Sequence, residues 1–210
     1  MNNSKVPDFK IEQSIIQKKI INIAGIDEAG RGAIFGPVVA AAVSFPDFII
    51  SGKSIPFWAK EINDSKILSP EKRKKVARLI VMNAKCIGVG FVSNFDIDRK
   101  NIYQASLEAM VKAVKNMSVY PDYILVDGYI LNDVNCIQKR VIKGDTKSIS
   151  IAAASIIAKT LRDEMIIRLD QIYEGYYLSK NKGYGTREHY MALKRKGATA
   201  FHRWSFNLKK

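Results

Sequence analysis

The sequence predicts an α/β fold in which a mixed β-sheet is flanked by helices, with a small helical part at the C-terminal end. Residues 20–26 and 38–43 are apolar runs rich in Ile, Val and Ala, and a glycine-rich turn separates them, which is typical of neighbouring strands. Further along, short apolar runs alternate with longer amphipathic stretches, as in a sheet covered by helices. With 210 residues, of which 47% are hydrophobic, the chain can bury one large core.

Local signals place the first elements. Residues 1–19 intersperse lysines and acids with apolar residues, and we expect a leader that is poorly ordered or only weakly helical. Residues 46–66 contain two prolines and a glycine and are predicted to form a loop. Ser69 followed by Pro70 is a strong helix start, an N-cap and a first helical residue, and predicts a helix as far as about residue 83.

The second half of the chain alternates between the two kinds of element. Strands are predicted for residues 85–93, 123–126 and 136–142, and helices for residues 98–116, 148–173 and 187–196. The helix at 148–173 begins with small residues, which allow close packing against a sheet.

The charge of the chain favours a polyanionic partner. It carries 34 Lys and Arg against 20 Asp and Glu, a formal net charge of +14. A generally lysine-rich proteome is the alternative explanation. Cys86 and Cys136 show no Cys-x-x-Cys spacing, so reduced thiols are expected and neither a zinc site nor a disulfide framework. No secretory or membrane-spanning segment is evident, and a cytoplasmic enzyme is the default expectation.

Asp27 and Glu28 end the first apolar strand, and Gly30-Arg31-Gly32 follows at once. An apolar strand has no structural use for two adjacent acids, because the desolvation of like charges must be offset by something positive. A hard divalent cation such as Mg²⁺ is suited to carboxylate oxygens. Arg31 adds a fork of donors for phosphate or sugar oxygens. The segment therefore indicates metal-dependent chemistry on a phosphate-bearing substrate.

Two further acids share this context. Asp127 ends the apolar run at 123–126, and Asp145 follows a Lys-Gly turn after the next strand. Loops converge at strand ends, so the four carboxylates are expected to meet there. Such a set can hold two magnesium ions about 4 Å apart, the arrangement used for in-line phosphodiester cleavage. For Asp127 alone, an ordinary turn aspartate is the favoured explanation; for the four together it is not.

These motifs together resemble type 2 ribonuclease H, the bacterial ribonuclease HII family. The resemblance runs in the family's order from about residue 20 to Phe206 and rests on Asp27-Glu-Ala-Gly-Arg-Gly, Asp64-Ser-Lys66, Val126-Asp-Gly128, Lys143-Gly-Asp145, Ile151-Ala-Ala-Ala-Ser-Ile-Ile-Ala-Lys159 and Lys182-Gly-Tyr-Gly185. It implies an RNase H-like fold. It also implies an endonuclease that cuts RNA in RNA/DNA hybrids and cuts 5′ to single ribonucleotides in duplex DNA, leaving 3′-OH and 5′-phosphate ends.

The resemblance also assigns roles. Asp27, Glu28, Asp127 and Asp145 would be the catalytic carboxylates that hold two Mg²⁺ or Mn²⁺ ions, with Asp27 bridging them. Gly30, Arg31 and Gly32 would read the 2′-hydroxyl, and Tyr184 would pack on the following deoxyribose. Ser65 and Lys66 would contact phosphate. The chain would consist of the leader (1–19), a catalytic domain (20–175) and a helical, basic segment (176–210) that completes the substrate cleft. We expect a monomer; a replication-clamp partner is left open.

Other side chains have competing interpretations. His189 and His202 are candidate general bases, although surface or packing roles are favoured because two metal ions can activate water without them. Lys159 and Arg162, three residues apart on a helix, would contact phosphate or face solvent. Tyr129 follows Val-Asp-Gly where the family commonly has a smaller polar residue; Ala33 and Ile67 also depart from its pattern.

Two rival functions stay open on the sequence. A two-metal nuclease or resolvase of the same fold, without a ribose requirement, is disfavoured by Gly30-Arg31-Gly32 and Tyr184. A non-catalytic hybrid-binding protein is disfavoured by the four carboxylates, from which a pure polyanion binder gains nothing. A DNA-only duplex left uncut would exclude the first rival. Binding without product formation in the presence of magnesium would favour the second.

Overall fold

A computed structural model describes residues 6–16 and 22–209, and its centre is a five-stranded mixed sheet. The strands are β1 (Ile23–Ala29), β2 (Val38–Ser44), β3 (Cys86–Val92), β4 (Tyr123–Asp127) and β5 (Ile137–Val141). Their spatial order is β3-β2-β1-β4-β5. The pairs β1–β2 and β2–β3 are antiparallel, whereas β1–β4 and β4–β5 are parallel. The predicted fold class, a mixed sheet flanked by helices, is confirmed.

Helices cover both faces of this sheet. They are α1 (Lys10–Ile16), α2 (Asp47–Ile50), α3 (Pro70–Asn83), α4 (Asn94–Lys100), α5 (Ile102–Lys115), α6 (Ile149–Asp170), α7 (Leu178–Asn181) and α8 (Arg187–Lys196), with short 3₁₀ turns at Phe57–Glu61 and Gly144–Thr146. Helix α6 packs on β1 and β2 with α3 beside it, and α5 packs on the opposite face against β2 and β3. The small residues at the start of α6 allow a close approach: a Cβ on Gly25 of β1 would lie 2.1 Å from the Ser150 carbonyl carbon.

Several element boundaries differ from the predicted ones for identifiable reasons. Strand β1 continues through Asp27 and Glu28 to Ala29, because both residues pair with β2. The helix predicted for 98–116 is two helices, broken at Asn101, whose φ of 74° ends one helix while its side chain caps the next. The predicted loop at 46–66 contains α2 and a 3₁₀ turn. The start at Ser69 is confirmed, since its side chain accepts a hydrogen bond from the Lys72 N–H.

The N-terminal segment is part of the fold where the structure describes it. Helix α1 lies within the leader that was expected to be poorly ordered or weakly helical; residues 1–5 and 17–19 of that leader lie outside the described residues. Ile15 is buried with Ile23 and Leu125, and Phe9 packs edge-to-face on Phe45. Glu12 is fully buried. Burial of this apolar and polar surface fixes the helix against the sheet domain.

Two expectations about the whole chain can be compared with the described residues. Both cysteines are free thiols, Cys86 buried and Cys136 partly buried. None of the described helices combines the length and apolar character needed to cross a bilayer.

Candidate active site

The parallel pairing of β1 and β4 sets two carboxylates side by side. Ile26 lies opposite Val126, and the next residue on each strand is Asp27 and Asp127. Because the strands are parallel and in register, the two side chains project on the same face of the sheet. Asp27 is only 5% exposed. The sheet therefore brings together two of the four predicted acids.

Burial and mutual repulsion perturb the titration of these acids. Burial raises the pKa of the Asp27 carboxyl well above its ordinary value, and the neighbouring charges of Glu28 and Asp127 raise it further. Burial also raises the pKa of Glu28; Asp127 adds to this effect and Arg31 opposes it. Like-charged carboxylates that are desolvated together are a recurrent feature of catalytic sites.

Asp145 reaches the same place through a tight turn after β5. The Gly144 N–H donates to Asp127 Oδ1 at 2.7 Å, which fixes the turn against the end of β4. Burial raises the pKa of Asp127, the Gly144 N–H lowers it and Asp145 raises it. Lys66 Nζ lies 3.4 Å from Asp145 Oδ2. Partial burial lowers the pKa of Lys66, but Asp145, Asp64 and Asp27 outweigh that effect and leave the pKa raised.

The donor set fits a hard divalent cation in its chemistry. All four acids offer carboxylate oxygens. Three of them have a raised pKa, which a bound cation would lower. Within the described part of the chain, no three acidic, histidine or cysteine side chains already form a metal-binding group. Side-chain cations offset part of the charge instead: Arg31 Nε lies 3.6 Å from Glu28 Oε1, and Lys66 contacts Asp145.

The glycine–arginine loop borders these carboxylates. Gly30 has a φ of +93°, and a Cβ there would lie 1.9 Å from Nε of the buried Arg162, so only glycine fits. The Arg31 side chain, 42% exposed, lies over the Tyr129 ring at 5.3 Å from its centroid. A Cβ on Gly32 would meet nothing within 4 Å. The loop thus turns an arginine and open backbone towards the same side as Glu28.

Tyr184 is held directly against this loop. It forms an antiparallel bridge with Ala33, and the carbonyl of the preceding Gly183 accepts hydrogen bonds from the N–H groups of Ile34 and Phe35. The Tyr184 ring lies 4.9 Å from Lys159 Nζ. The structure therefore brings together the sensor loop (residues 30–35), which includes the residues predicted to read the 2′-hydroxyl, and Tyr184, predicted to pack on the deoxyribose, although they are far apart in the sequence.

Ser65 and Lys66 have different surroundings. The Ser65 hydroxyl is 3.0 Å from the Ser155 hydroxyl, and the residue is 2% exposed, so its side chain is directed into the protein. The carbonyl of Ser65 accepts from Arg73 Nε at 3.0 Å. The Lys66 side chain is 75% exposed. Of this predicted phosphate-binding pair, Lys66 is the member whose side chain is open to a ligand.

Two buried arginines support the loop; the sequence prediction for Arg162 was wrong, and Arg203 was not selected from the sequence. Arg162, placed there on phosphate or in solvent, is fully buried and donates to the carbonyls of Pro37, Phe35 and Lys182. Arg203 donates to the carbonyls of Gly36 and Arg31. A signal existed for Arg162, which lies at helical spacing between the buried residues Ala158 and Ile166.

Comparison with known proteins gives consistent matches. The family model described as Ribonuclease HII matches residues 24–209. The ribonuclease HII of Syntrophus aciditrophicus is 49% identical over 187 residues, which cover 89% of this chain and 84% of that relative. The crystal structure of ribonuclease H2 from Pyrococcus horikoshii superimposes with a TM-score of 0.73 at 25% identity, covering 90% of this chain and 95% of that one. Ribonuclease HII of Archaeoglobus fulgidus, solved in a complex with PCNA, gives 0.70 at 27% identity, covering 90% and 97%.

Proposed function

The chain belongs to the ribonuclease HII family, whose members hydrolyse the RNA of RNA/DNA hybrids, and on that premise we propose that it also cleaves 5′ to single ribonucleotides embedded in duplex DNA. The products would be 3′-OH and 5′-phosphate ends. The observation that carries the proposal is the Ala33–Tyr184 bridge, which joins a sugar-packing ring to the loop beside the carboxylates.

The four carboxylates would hold the metal ions. Asp27, Glu28, Asp127 and Asp145 offer the oxygen donors that Mg²⁺ or Mn²⁺ prefers, and the raised pKa values of three of them support this proposal, because a bound cation would favour their charged forms. When bound, a pair of such ions would activate water and neutralise charge on the scissile phosphate. We assign the same four residues as the catalytic acids.

The chain's own cations and loop would position the substrate. Lys66, exposed and on the Asp145 side, would contact a phosphate oxygen, and Ser65 would hold the turn through Ser155. Arg31 would donate to the 2′-hydroxyl, and the backbone of Gly30 and Gly32 would offer it further hydrogen bonds, since this hydroxyl both donates and accepts. Helix α8 and the C-terminal tail would complete the cleft, because Arg203 holds the Arg31 carbonyl.

Tyr184 would read the sugar that follows. Its backbone is bridged to Ala33 of the loop, and its ring lies 4.9 Å from Lys159 Nζ. A deoxyribose would lie flat on this ring, and an added 2′-hydroxyl would disturb the contact. Arg31 on one nucleotide and Tyr184 on the next would together recognise the step from ribose to deoxyribose. This recognition is separate from the carboxylates that act on the phosphate.

One assay tests the proposal. Three duplexes are incubated with the protein and magnesium, namely DNA with one ribonucleotide, a continuous RNA/DNA hybrid and DNA alone, and the products are sized on a gel. We expect a single cut 5′ to the ribonucleotide, several cuts in the hybrid and none in DNA. Cleavage of DNA alone would favour a nuclease without a ribose requirement, and binding without any product would favour a non-catalytic binder. The cytoplasmic location and monomeric state expected from the sequence stay predictions.

A further inference from the structure

Two buried histidines face each other behind the Tyr184 loop. His189 on α8 and His202 in the C-terminal tail are each 0% exposed, and their Nε2 atoms are 3.1 Å apart. Aromatic rings enclose them, with Phe35 at 4.9 Å and Tyr176 at 5.1 Å from the His202 ring centre. Neither histidine lies at the surface, and their ring nitrogens are occupied inside the protein, which leaves none for the general-base role considered from the sequence.

The partners of the outer nitrogens fix the tautomer of each ring. His189 Nδ1 lies 3.0 Å from the Tyr184 carbonyl, which only accepts, so this nitrogen carries a proton. The Thr199 backbone N–H, which only donates, is 2.9 Å from His202 Nδ1, so that nitrogen is unprotonated. In neutral rings His202 Nε2–H must then donate to His189 Nε2. A single arrangement satisfies all three hydrogen bonds.

An additional proton on either ring would break this series of hydrogen bonds. On His189 it would set two N–H groups against each other, and on His202 it would oppose the Thr199 N–H. Lys196 lies over the Tyr176 ring and Arg162 over the Tyr184 ring. In the sequence, Arg203 follows His202 and Glu188 precedes His189. Among the described contacts of the two rings, none is with a carboxylate.

The pair also closes a ring of contacts around the sensor loop. Ala33 bridges to Tyr184, and two residues later Phe35 bridges to His202. The His189–His202 hydrogen bond joins the far ends of these two bridges, since His189 holds the Tyr184 carbonyl. The Thr186 N–H donates to the same carbonyl at 2.8 Å. The backbone of Tyr184 is thus fixed from the loop side and from the histidine side.

We propose that His189 and His202 are positioning residues for Tyr184, which set the location of its ring relative to the loop at 30–35 and thereby support discrimination between ribose and deoxyribose. The inference rests on the proposed function, in which Tyr184 packs on the deoxyribose. It predicts that loss of the His189–Tyr184 hydrogen bond lowers selectivity even where the packing volume is kept.

Two substitutions at His189 separate positioning from packing. His189→Phe keeps the site filled with a slightly larger ring but removes the donor to Tyr184 and the acceptor for His202, whereas His189→Asn loses volume but can keep a donor at the place of Nδ1. The readout is the ratio of kcat/KM on a single embedded ribonucleotide to kcat/KM on a continuous hybrid. We expect His189→Phe to lower this ratio about tenfold, a loss of one well-placed hydrogen bond, and His189→Asn to keep most of it.

A purely structural role gives the opposite order. It would make His189→Asn the more harmful variant in both melting temperature and activity, because it leaves a cavity, and that result would overturn the inference. Tyr184→Ala is measured alongside. If it lowers the ratio while His189→Phe does not, the positioning role fails and the proposed function stands. If Tyr184→Ala leaves the ratio unchanged, the sensor assignment fails, and the inference with it.

The tautomers can be measured without any variant. In protein labelled with ¹⁵N-histidine at neutral pH, long-range ¹H–¹⁵N spectra distinguish the Nδ1–H and Nε2–H forms. We expect one ring protonated at Nδ1 and the other at Nε2, with His189→Asn assigning the first signal. Two rings in the same tautomer, or an imidazolium, would overturn the arrangement.

Discussion

Glu12 Oε1 accepts a hydrogen bond from the Ser148 hydroxyl at 2.6 Å and another from the Ser150 N–H at 3.1 Å. The Ser148 hydroxyl in turn caps α6 by accepting from the Ile151 N–H. Helix α1 is therefore tied to the start of α6, immediately after the turn that carries Asp145. Burial raises the pKa of the Glu12 carboxyl. The N-terminal helix thus stabilises a turn on which the candidate site depends.

The first prediction concerns this contact. Glu12→Ala leaves the Ser150 N–H buried without its acceptor, and we expect the free energy of unfolding to fall by about 1–3 kcal/mol. For a chain of this size, that corresponds to a melting temperature lower by roughly 2–4 °C per kcal/mol. Glu12→Gln is the matched control, because its amide oxygen can accept the same bonds. Equal losses in the two variants would mean that the hydrogen bonds contribute nothing.

The sequence predicted what local patterns determine. Ser69 capped a helix as expected, and α8 spans the predicted residues 187–196, because capping and periodicity act within one turn. A weakly helical leader was one of the predicted alternatives, but the burial of α1 and the Glu12–Ser148 bond were not predicted, since this bond joins residues 136 positions apart. For the same reason the hydrogen bonds that fix the tautomers of the two histidines could not be predicted from the sequence.

The candidate site divides in the same way. Paired acids followed by glycines are a local pattern that indicates a metal-dependent catalytic site, so Asp27 and Glu28 could be selected from the sequence. The hydrogen bond of the Ser65 hydroxyl with Ser155 could not be predicted from the sequence, because it depends on how α6 packs. Helical spacing could have indicated the burial of Arg162, but its hydrogen bonds could not be predicted, because the fold brings the three acceptor carbonyls to its guanidinium.

The second prediction separates activity from stability at Asp27. Asp27→Asn and Asp145→Asn should each reduce turnover by several orders of magnitude, since an amide keeps the shape but loses the charge that holds a cation. Turnover is measured under saturating substrate and magnesium. Asp133→Asn, which removes a charge from an exposed turn, is the control and should be as active as wild type. Retention of more than roughly a tenth of the rate would exclude that residue as a metal ligand.

The third prediction follows from the same residue. The pKa of Asp27 is raised in the fold, so above its ordinary value of 3.8 the charged carboxylate destabilises the folded state. Removal of the charge in Asp27→Asn should therefore stabilise the protein at neutral pH, and each kcal/mol gained would raise the melting temperature by roughly 2–4 °C. The gain should shrink as the pH falls and the wild-type carboxyl becomes protonated. A lower melting temperature at neutral pH would contradict the repulsion described for this site.

The fourth prediction concerns acid stability. Burial, together with the facing His189, lowers the pKa of His202 from 6.5 to about 4. The unfolded chain therefore takes up a proton on this residue between pH 6.5 and 4 while the folded chain does not. Stability from this group is complete above pH 6.5 and falls as the pH drops towards 4, by up to about 3 kcal/mol. Urea unfolding across this range measures it, and His202→Asn should flatten that part of the curve.

The final prediction addresses Arg31, whose guanidinium lies 5.3 Å from the centre of the Tyr129 ring. Tyr129 itself packs edge-to-face on Tyr103 at 5.7 Å, so a second ring helps to hold it in place. A cation held on an aromatic face loses about 0.5–1 kcal/mol when the ring is removed. Tyr129→Ala should therefore lower kcat/KM on a single embedded ribonucleotide by a factor of about two to five, mainly through KM. Tyr129→Phe keeps the face and should match wild type. If the two variants lose activity equally, the phenol hydroxyl and not the ring holds Arg31, and the stacking explanation is wrong.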